Sequence, residues 1–208
     1  MKRQPRDTTR QRVLAAAESV FAERGIEGAS VAEISERAGF TRGAFYSNFA
    51  SKEDVAIAVF EAVTSKQLRL IRAQIGSRRR DVDPAVSDWQ SRLRDAVATV
   101  QVDRELLLLV LETQLHAVRD AAFASQYSAL AQQVEEQVAR AVAEFAAAEA
   151  VTCVLPPHRA SRFLINEWVS AAVRESIDRS RARAVLDDLA AAASMCFASE
   201  SASVETDS

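Results

Sequence analysis

The residues of this chain that could form a binding motif lie near its N-terminus. Gly39 separates two short segments, and each segment follows a hydroxyl residue, Ser30 and Thr41. A hydroxyl at such a position predicts a helix N-cap, and Glu33, three residues after Ser30, completes a capping box. Gly39 can adopt the positive φ that a tight turn between helices needs. The spacing predicts a helix-turn-helix over residues 30–49.

The second helix of this pair has two chemically different faces when it is projected at 100° per residue. Arg42 can reach a guanine edge or a phosphate, and Tyr46 a thymine methyl or a phosphate. Gly43 costs a helix about 1 kcal/mol relative to alanine, so it indicates close approach of a ligand to the backbone. The alternative is a helical packing unit whose exposed face is simply polar. The polar face consists of Arg42, Gly43, Tyr46 and Ser47, and the apolar face of Ala44, Phe45 and Phe49.

Charge is distributed unevenly along the chain, whose formal net charge is −3. Residues 1–52 carry a net charge of +3, and the remainder carries −6. A basic N-terminal arm on an acidic body indicates that this end faces a polyanion, although a solvated tail is the alternative.

The rest of the chain shows helical periodicity throughout, so we predict an all-α fold with about nine helices. The first helix begins at Thr8 as N-cap and stops at Gly25, and Asp83-Pro84 is a cap followed by proline at the first helical position. Predicted helices follow over 31–38, 42–49 and from Ser51 towards Gly76, then over roughly 84–101, 104–119, 121–149, 157–178 and 181–198.

Several classes of protein are excluded by composition and spacing. The longest stretch without a charge, 121–134, contains glutamines and serines, and the N-terminus lacks an apolar signal segment. We therefore expect a cytoplasmic protein without a membrane partner. Cys153 and Cys196 are too few for a disulfide scaffold and form no zinc-ligand spacing. A helical enzyme is disfavoured because no nucleophile motif is present, so we expect no enzyme, no metal and no cofactor.

The N-terminal segment resembles the tetracycline-repressor (TetR) family of bacterial transcriptional regulators, from about Thr9 to Lys66. The resemblance is dense in 21–25, 30–34, 38–46 and 48–54. It implies a DNA-binding domain over 1–54 and a helical effector-binding and dimerisation domain over 55–208. By position, Ser30, Tyr46, Asn48 and Lys52 match family residues that hold phosphates, and Thr41, Arg42 and Gly43 match the base-facing start of the recognition helix.

The assignment of Lys52 to a phosphate also has a physical reason that does not depend on the resemblance. A cation at a helix N-terminus is disfavoured by some tenths of a kcal/mol, and a phosphate docked there would gain from both the lysine and the free N–H groups. An ordinary solvated lysine is the alternative. Asn48 occupies a position that is often histidine in the family, and Phe40 replaces a smaller aliphatic residue.

The body of the chain gives weaker signals. Leu106 to Leu111 is apolar on every side of a helix, which predicts a central helix. One turn on, Glu112 and His116 could pair inside a mainly apolar effector pocket; the alternative is the polar end of a core helix. The predicted effector residues are Trp89, Leu108, Glu112, His116 and Trp168, of which the two tryptophans could equally be core.

The last two helices carry alanine-rich apolar stripes that predict a homodimer interface, with the intramolecular core as the alternative. The predicted interface residues are Leu164, Trp168, Ala172, Val185, Leu189 and Ala193. The function predicted is a repressor that an unknown small, mainly apolar effector releases from a double-stranded palindromic operator. The alternative is a helical ligand-binding or scaffolding protein without DNA binding.

Overall fold

The structure is a computed structural model of the chain, and it describes residues 6–77, 88–99, 104–178 and 182–199. Within these ranges the chain is almost entirely helical, and the single sheet is a short two-stranded ribbon. The elements in chain order are α1 (Arg6–Gly28), α2 (Val31–Ala38), α3 (Arg42–Tyr46), α4 (Lys52–Ser77), α5 (Trp89–Ala98), α6 (Arg104–Arg119), α7 (Ala121–Glu149), β1 (Val151–Cys153), α8 (Pro157–Ile177), α9 (Ala182–Ser194) and β2 (Phe197–Ser199).

The all-α fold with nine helices is confirmed for the described part of the chain, and most predicted bounds lie within a few residues of those observed. The prediction of Thr8 as N-cap is wrong, because α1 already begins at Arg6. The prediction that the last helix reaches residue 198 is also wrong, since α9 ends at Ser194 and the chain then forms β2. The Asp83-Pro84 cap lies outside the described residues.

The chain divides into two compact units that cut across the order of the sequence. Unit 1 contains residues 1–64 and 103–131, and unit 2 contains residues 65–102 and 132–208. Unit 1 therefore joins α1, α2, α3 and the start of α4 to α6 and the start of α7. The domain division at residue 54 stays a prediction.

In unit 1, α1 packs along α6. The inner face of α1 is built from side chains with no exposed surface, among them Val13, Ala17 and Phe21. Leu109 of α6 is also completely buried. The prediction that the apolar run Leu106 to Leu111 lies in a central helix agrees with this placement, because every member of the run is buried or half-buried.

In unit 2, α8 packs on α9 and α5 on α9. β1 and β2 pair antiparallel, with Thr152 opposite Ala198. The core lies around Phe145 and Phe197, whose ring centroids are 5.1 Å apart. Burial raises the pKa of the Cys153 and Cys196 thiols, which favours their protonated form at neutral pH.

The turn from α2 to α3 is closed by a Schellman motif at Gly39. Gly39 has φ 73° and ψ 35°, in the left-handed region. Its N–H donates to the Glu36 carbonyl at 2.9 Å, and the Phe40 N–H donates to the Ser35 carbonyl at 2.9 Å. These two bonds satisfy the last carbonyls of α2 and fix the direction in which the chain enters α3.

We predict that Gly39→Ala lowers the free energy of unfolding by about 1–2 kcal/mol, because a Cβ disfavours the left-handed conformation. Urea denaturation followed by circular dichroism measures the change. Gly76→Ala is the matched control, because Gly76 lies in a helix and an added Cβ there has no neighbour within 4 Å. Equal stability of the Gly39 variant and the wild type would contradict the role given to this turn.

Candidate nucleic-acid interface

Two hydroxyl side chains set the starts of α2 and α3. The Ser30 Oγ accepts a hydrogen bond from the Glu33 N–H at 3.1 Å, and the Thr41 Oγ1 accepts one from the Ala44 N–H at 3.3 Å. Both N-caps predicted from the sequence are therefore confirmed. Ser30 and Thr41 are exposed, so each lies at a helix N-terminus that is open to solvent.

The two faces of α3 separate as the helical projection predicts. Phe45 is completely buried and Phe49 nearly so. Tyr46 is 57% exposed, and its ring meets the Phe45 ring edge-on at a centroid distance of 5.4 Å. The polar face, consisting of Arg42, Gly43, Tyr46 and Ser47, is exposed along its whole length.

The recognition helix is shorter than the predicted span of 42–49, because α3 ends at Tyr46. The Ser47 Oγ and the Asn48 Nδ2 both donate to the Ala44 carbonyl, each at 2.8 Å. Side chains that bind a carbonyl in this way compete with the helical backbone pattern and end the helix. The Asn48 amide also donates to the Ser47 Oγ at 3.2 Å, so both its N–H groups are engaged locally.

Two arginines of α1 lie against aromatic rings of the helix-turn-helix, and sequence analysis missed both. The Arg12 guanidinium carbon is 4.7 Å from the centroid of the Phe40 ring, and that of Arg10 is 5.1 Å from the Phe49 ring. Such cation–π contacts contribute about 0.5–1 kcal/mol at exposed sites. The sequence shows only a basic arm here, because no local pattern pairs residues almost 30 or 40 positions apart.

A bidentate ion pair joins α1 to α2. Arg37 donates to the two carboxylate oxygens of Glu23 at 2.6 and 2.8 Å. This hydrogen bonding lowers the pKa of Glu23 and raises the pKa of Arg37, so both groups stay charged. Because both side chains are largely in water, the pair orients α2 on α1 more than it stabilises the fold.

Lys52 lies at the first position of α4, where its ammonium has specific partners. Its Nζ donates to the carbonyl of Glu27 at 3.0 Å and to that of Ala29 at 3.1 Å. The end of α1 carries the negative pole of that helix, which favours a cation. Lys52 is half-buried, and its contacts differ from those of the solvated lysine that was the alternative from sequence.

The last turn of α1 is also held by α6. Gly25 interrupts the helix with φ 71° and ψ 168°. The Ile26 N–H donates to Glu112 Oε2 at 3.2 Å, and Arg119 forms a salt bridge of 3.2 Å with Glu27. A Cβ on Gly25 would lie 2.6 Å from Glu112 Oε2, so only glycine permits this approach. Sequence analysis placed Gly25 at a helix stop but found no partner for it.

The predicted pairing of Glu112 with His116 is absent among the described residues. Glu112 binds Ile26 instead, and both ring nitrogens of His116 are buried without a hydrogen-bond partner. The His116 ring meets the Phe123 ring edge-on, with centroids 4.7 Å apart. Leu108 is half-buried on the same helix. A histidine left unpaired in this way costs free energy, which marks it as a site that a ligand could satisfy.

The other two predicted effector residues belong to unit 2. Trp89 packs against the unit 2 core, with its ring edge-on to Phe197 at 6.2 Å, and its Nε1 donates to Ser199 Oγ at 3.4 Å. The Nε1 of Trp168 is buried and has no hydrogen-bond partner among the described residues. Trp89 thus fits the core alternative, and Trp168 carries an indole N–H that none of the described residues accepts.

The predicted dimer residues fall into two groups. Ala172, Leu189 and Ala193 are at most 5% exposed within a single chain, which favours the intramolecular alternative for these three. Leu164 and Trp168 are half-buried and retain surface that a partner could cover. The side chain of Val185 lies outside the described residues.

No group of three or more metal-ligating side chains occurs within the ranges that the structure describes. Over the same residues, none of the helices combines the length and the apolar character that crossing a bilayer requires.

Comparison with known proteins adds independent evidence on the N-terminal segment. Residues 13–59 match the sequence model of the bacterial regulatory proteins of the tetR family. The transcriptional activator FasR of Mycolicibacterium smegmatis is 33% identical over 95 residues, which are 46% of this chain and 40% of FasR. The A-factor receptor protein of Streptomyces griseus is 47% identical over 53 residues, 26% of this chain and 19% of the receptor. The matched segment thus spans less than half of either relative.

Similarity to solved structures extends over nearly the whole chain. The reduced form of NemR from E. coli superposes with a TM-score of 0.67 at 19% identity, covering 92% of this chain and 98% of NemR. FadR from Bacillus subtilis, solved with stearoyl-CoA, superposes with a TM-score of 0.64 at 16% identity, covering 88% and 98%. At this level of identity the likeness concerns the fold. Residues 13–59 therefore belong to the TetR family of bacterial transcriptional regulators, and the described part of the chain has the all-α fold of these solved structures.

Proposed function

We propose that the protein is a transcriptional repressor that binds a palindromic operator through α3 and is released by a small, mainly apolar effector. The observation that carries the proposal is the exposed polar face of α3, held on a buried Phe45 and capped by Thr41. A rigid helix whose outer face offers Arg42 and Tyr46 has the shape and chemistry of a major-groove reader.

The residues around α3 divide into two proposed roles. Thr41, Arg42 and Gly43 face the bases, because they form the exposed start of α3 and match the base-facing residues of the family. Ser30, Tyr46, Asn48 and Lys52 face phosphates, a role that rests on the family resemblance. Ser30 lies at the N-terminus of α2, where N–H groups favour an anion. The amide of Asn48 must leave Ala44 to donate to a phosphate, whereas the ammonium of Lys52 has a third N–H to offer.

The proposal that the protein represses, rather than activates, transcription needs its own test. The relative FasR is named an activator, whereas BepR of Brucella suis, 49% identical over 47 residues, is named a repressor. A reporter gene behind a promoter that overlaps the selected operator separates the two. We expect the protein to lower reporter expression; raised expression would show an activator.

A helical binding protein without DNA binding remains the second class of function. Its proposed ligand site would be the same unit 1 region around His116, so a ligand alone does not separate the two readings. A gel-shift assay with duplex DNA at low salt does, since a pure binding module gives no shift at any protein concentration.

For the effector, we place one polar contact at His116. Its two ring nitrogens, which have no partner among the described residues, lie on α6, one turn from the carboxylate that holds Ile26. A ligand with a mainly apolar body and one hydrogen-bonding group fits a site of this composition. The neighbour FadR was solved with stearoyl-CoA, a molecule that joins a long apolar acyl chain to a polar head.

We predict that Gly43→Ala leaves the free energy of unfolding unchanged or raises it by up to about 1 kcal/mol, because Gly43 is in a helix. An added Cβ would meet only Thr41 Oγ1, at 3.8 Å. DNA affinity should nevertheless fall about tenfold, or roughly 1.4 kcal/mol, because the methyl group occupies the space of the DNA. Urea denaturation and fluorescence anisotropy measure the two effects. Unchanged affinity would show that DNA does not approach the backbone here.

We predict that Arg42→Ala lowers the magnitude of the free energy of DNA binding by about 1–3 kcal/mol per half-site. The variant should also discriminate less between bases at particular positions of the operator. Arg69→Ala is the matched control. Arg69 is an exposed arginine on α4, and its removal should change neither the DNA affinity nor the base preference. Lys52→Ala should weaken binding to all DNA sequences nearly equally. It should also reduce, by about one per half-site, the slope of the logarithm of affinity against the logarithm of salt concentration. The opposite pattern, in which Lys52→Ala shifts the preferred sequence and Arg42→Ala scales all affinities alike, would contradict the assignment.

We predict that His116→Leu leaves the free protein as stable or stabilises it by up to about 1 kcal/mol, because two unpartnered nitrogens are removed. The same variant should respond less to a compound that releases DNA and changes tryptophan fluorescence in the wild type. Stearoyl-CoA is the first probe. His158→Leu is the control, since His158 is exposed at the start of α8. Equal responses of the two variants would remove His116 from the site.

We predict a homodimer through α8 and α9, with operator half-sites about 34 Å or a multiple apart. Trp168→Glu should give a folded monomer, because Trp168 is only half-buried within one chain. Leu189→Glu should instead unfold the chain, since Leu189 is 5% exposed. Size-exclusion chromatography with light scattering measures the oligomeric state of each variant, and circular dichroism measures whether it is folded. A Trp168→Glu protein that stays dimeric would point to another interface.

A further inference from the structure

Arg12 of α1 lies at the turn that leads into α3, although the two are distant in the sequence. Its guanidinium carbon is 4.7 Å from the centroid of the Phe40 ring. A Cβ on Gly39 would lie 2.9 Å from Arg12 Nη2, so the guanidinium also lies directly against the backbone of the turn. The side chain is therefore held on two sides, by an aromatic ring and by the backbone of a glycine.

The hydrogen-bond donors of Arg12 are not used within the described part of the chain. Arg12 is exposed, and among the described residues neither a hydrogen bond nor an ion pair engages it. A phenyl ring carries no lone-pair acceptor, so the contact with Phe40 leaves the five N–H donors of the guanidinium available. Three other exposed arginines of unit 1 each bind a glutamate: Arg24 with Glu33, Arg37 with Glu23 and Arg119 with Glu27. Arg12 is thus a positive charge in a defined place that none of the described carboxylates neutralises.

The ring of Phe40 prepares this charge for a ligand. Phe40 stands where the family resemblance leads us to expect a smaller aliphatic residue. An aliphatic side chain offers no π face, whereas the face of a phenyl ring attracts a guanidinium electrostatically. An arginine that is already held in place gives up less conformational entropy when it binds an anion.

The position of Arg12 fits a phosphate at the edge of a major groove. Thr41 and Arg42, which belong to the proposed base-facing start of α3, follow Phe40 directly in the chain. The major groove is about 12 Å wide, so a group beside the start of a helix in the groove meets the phosphates along its edge. The planar fork of a guanidinium matches two oxygens of one phosphate.

We propose that Arg12 binds a DNA phosphate beside the start of α3, and that Phe40 is the positioning residue that holds Arg12 for this contact. A phosphate contact raises affinity for every DNA sequence and carries no base preference of its own. This inference rests on the proposed DNA binding, and it adds a contact from α1 to those assigned to α2, α3 and α4.

The first test measures the affinity of the full chain for a random-sequence duplex of about 20 base pairs, by fluorescence anisotropy at several salt concentrations. We expect Arg12→Met to weaken binding about fivefold at low salt. It should also reduce the slope of the logarithm of affinity against the logarithm of salt concentration by about one for each bound chain. Arg12→Lys should lose affinity because it lacks the planar fork, but it should keep the wild-type slope because it keeps the charge.

Arg69→Met is the matched control for the loss of charge. It removes one positive charge from an exposed arginine of α4 and should change neither the affinity nor the slope.

A double-mutant cycle with Phe40→Leu tests the role of the ring. Phe40→Leu alone should weaken binding about threefold, because Arg12 is then no longer held in place. In the Arg12→Met background the same substitution should have no further effect, so the two losses are not multiplicative. Urea denaturation shows whether each variant is folded, and the comparison of Arg12→Met with Arg12→Lys requires no change at Phe40.

Wild-type affinity and slope in Arg12→Met would overturn the phosphate contact while DNA binding by the protein stands. A loss of affinity in Arg12→Met without a change in slope would also overturn it, since it would show a purely structural arginine. Multiplicative losses in the cycle would overturn the role of Phe40. A wild type that binds no duplex at low salt would overturn the proposed function together with this inference.

Discussion

The geometry of this protein depends on how α1 ends. A helix leaves its last carbonyls without partners, and here α2 must begin only three residues after α1 stops. Gly25 breaks the helix in the left-handed region, Lys52 takes the carbonyls of Glu27 and Ala29, and Glu112 takes the freed N–H of Ile26. Apart from Arg12, all the residues that we propose to face DNA come after this junction between α1 and α2 in the sequence.

The same junction explains why the structural units do not follow sequence order. α6 packs along α1, which places residues 103–131 with the N-terminal helices. A helix that is distant in sequence thus becomes part of the frame that carries α3.

Local signals in the sequence were enough for much of this architecture. The caps at Ser30 and Thr41, the turn at Gly39 and the two faces of α3 are decided within a few residues, and all are confirmed. Contacts between distant residues could not be read in this way: Glu112 with Ile26, Lys52 with two carbonyls, and Arg12 over Phe40 have no local pattern. The ribbon of β1 and β2 was missed for the same reason, since its paired residues lie 44 to 48 positions apart in the sequence.

The central claim is that the exposed face of α3 reads DNA sequence. Selection of bound duplexes from a random pool by the purified protein tests it most directly, followed by comparing affinities for the selected and a scrambled duplex at physiological salt. We expect a palindromic consensus that binds about 10³-fold or more tightly than the scrambled duplex. A pool that shows no consensus after repeated rounds, or equal affinity for both duplexes, would contradict the claim.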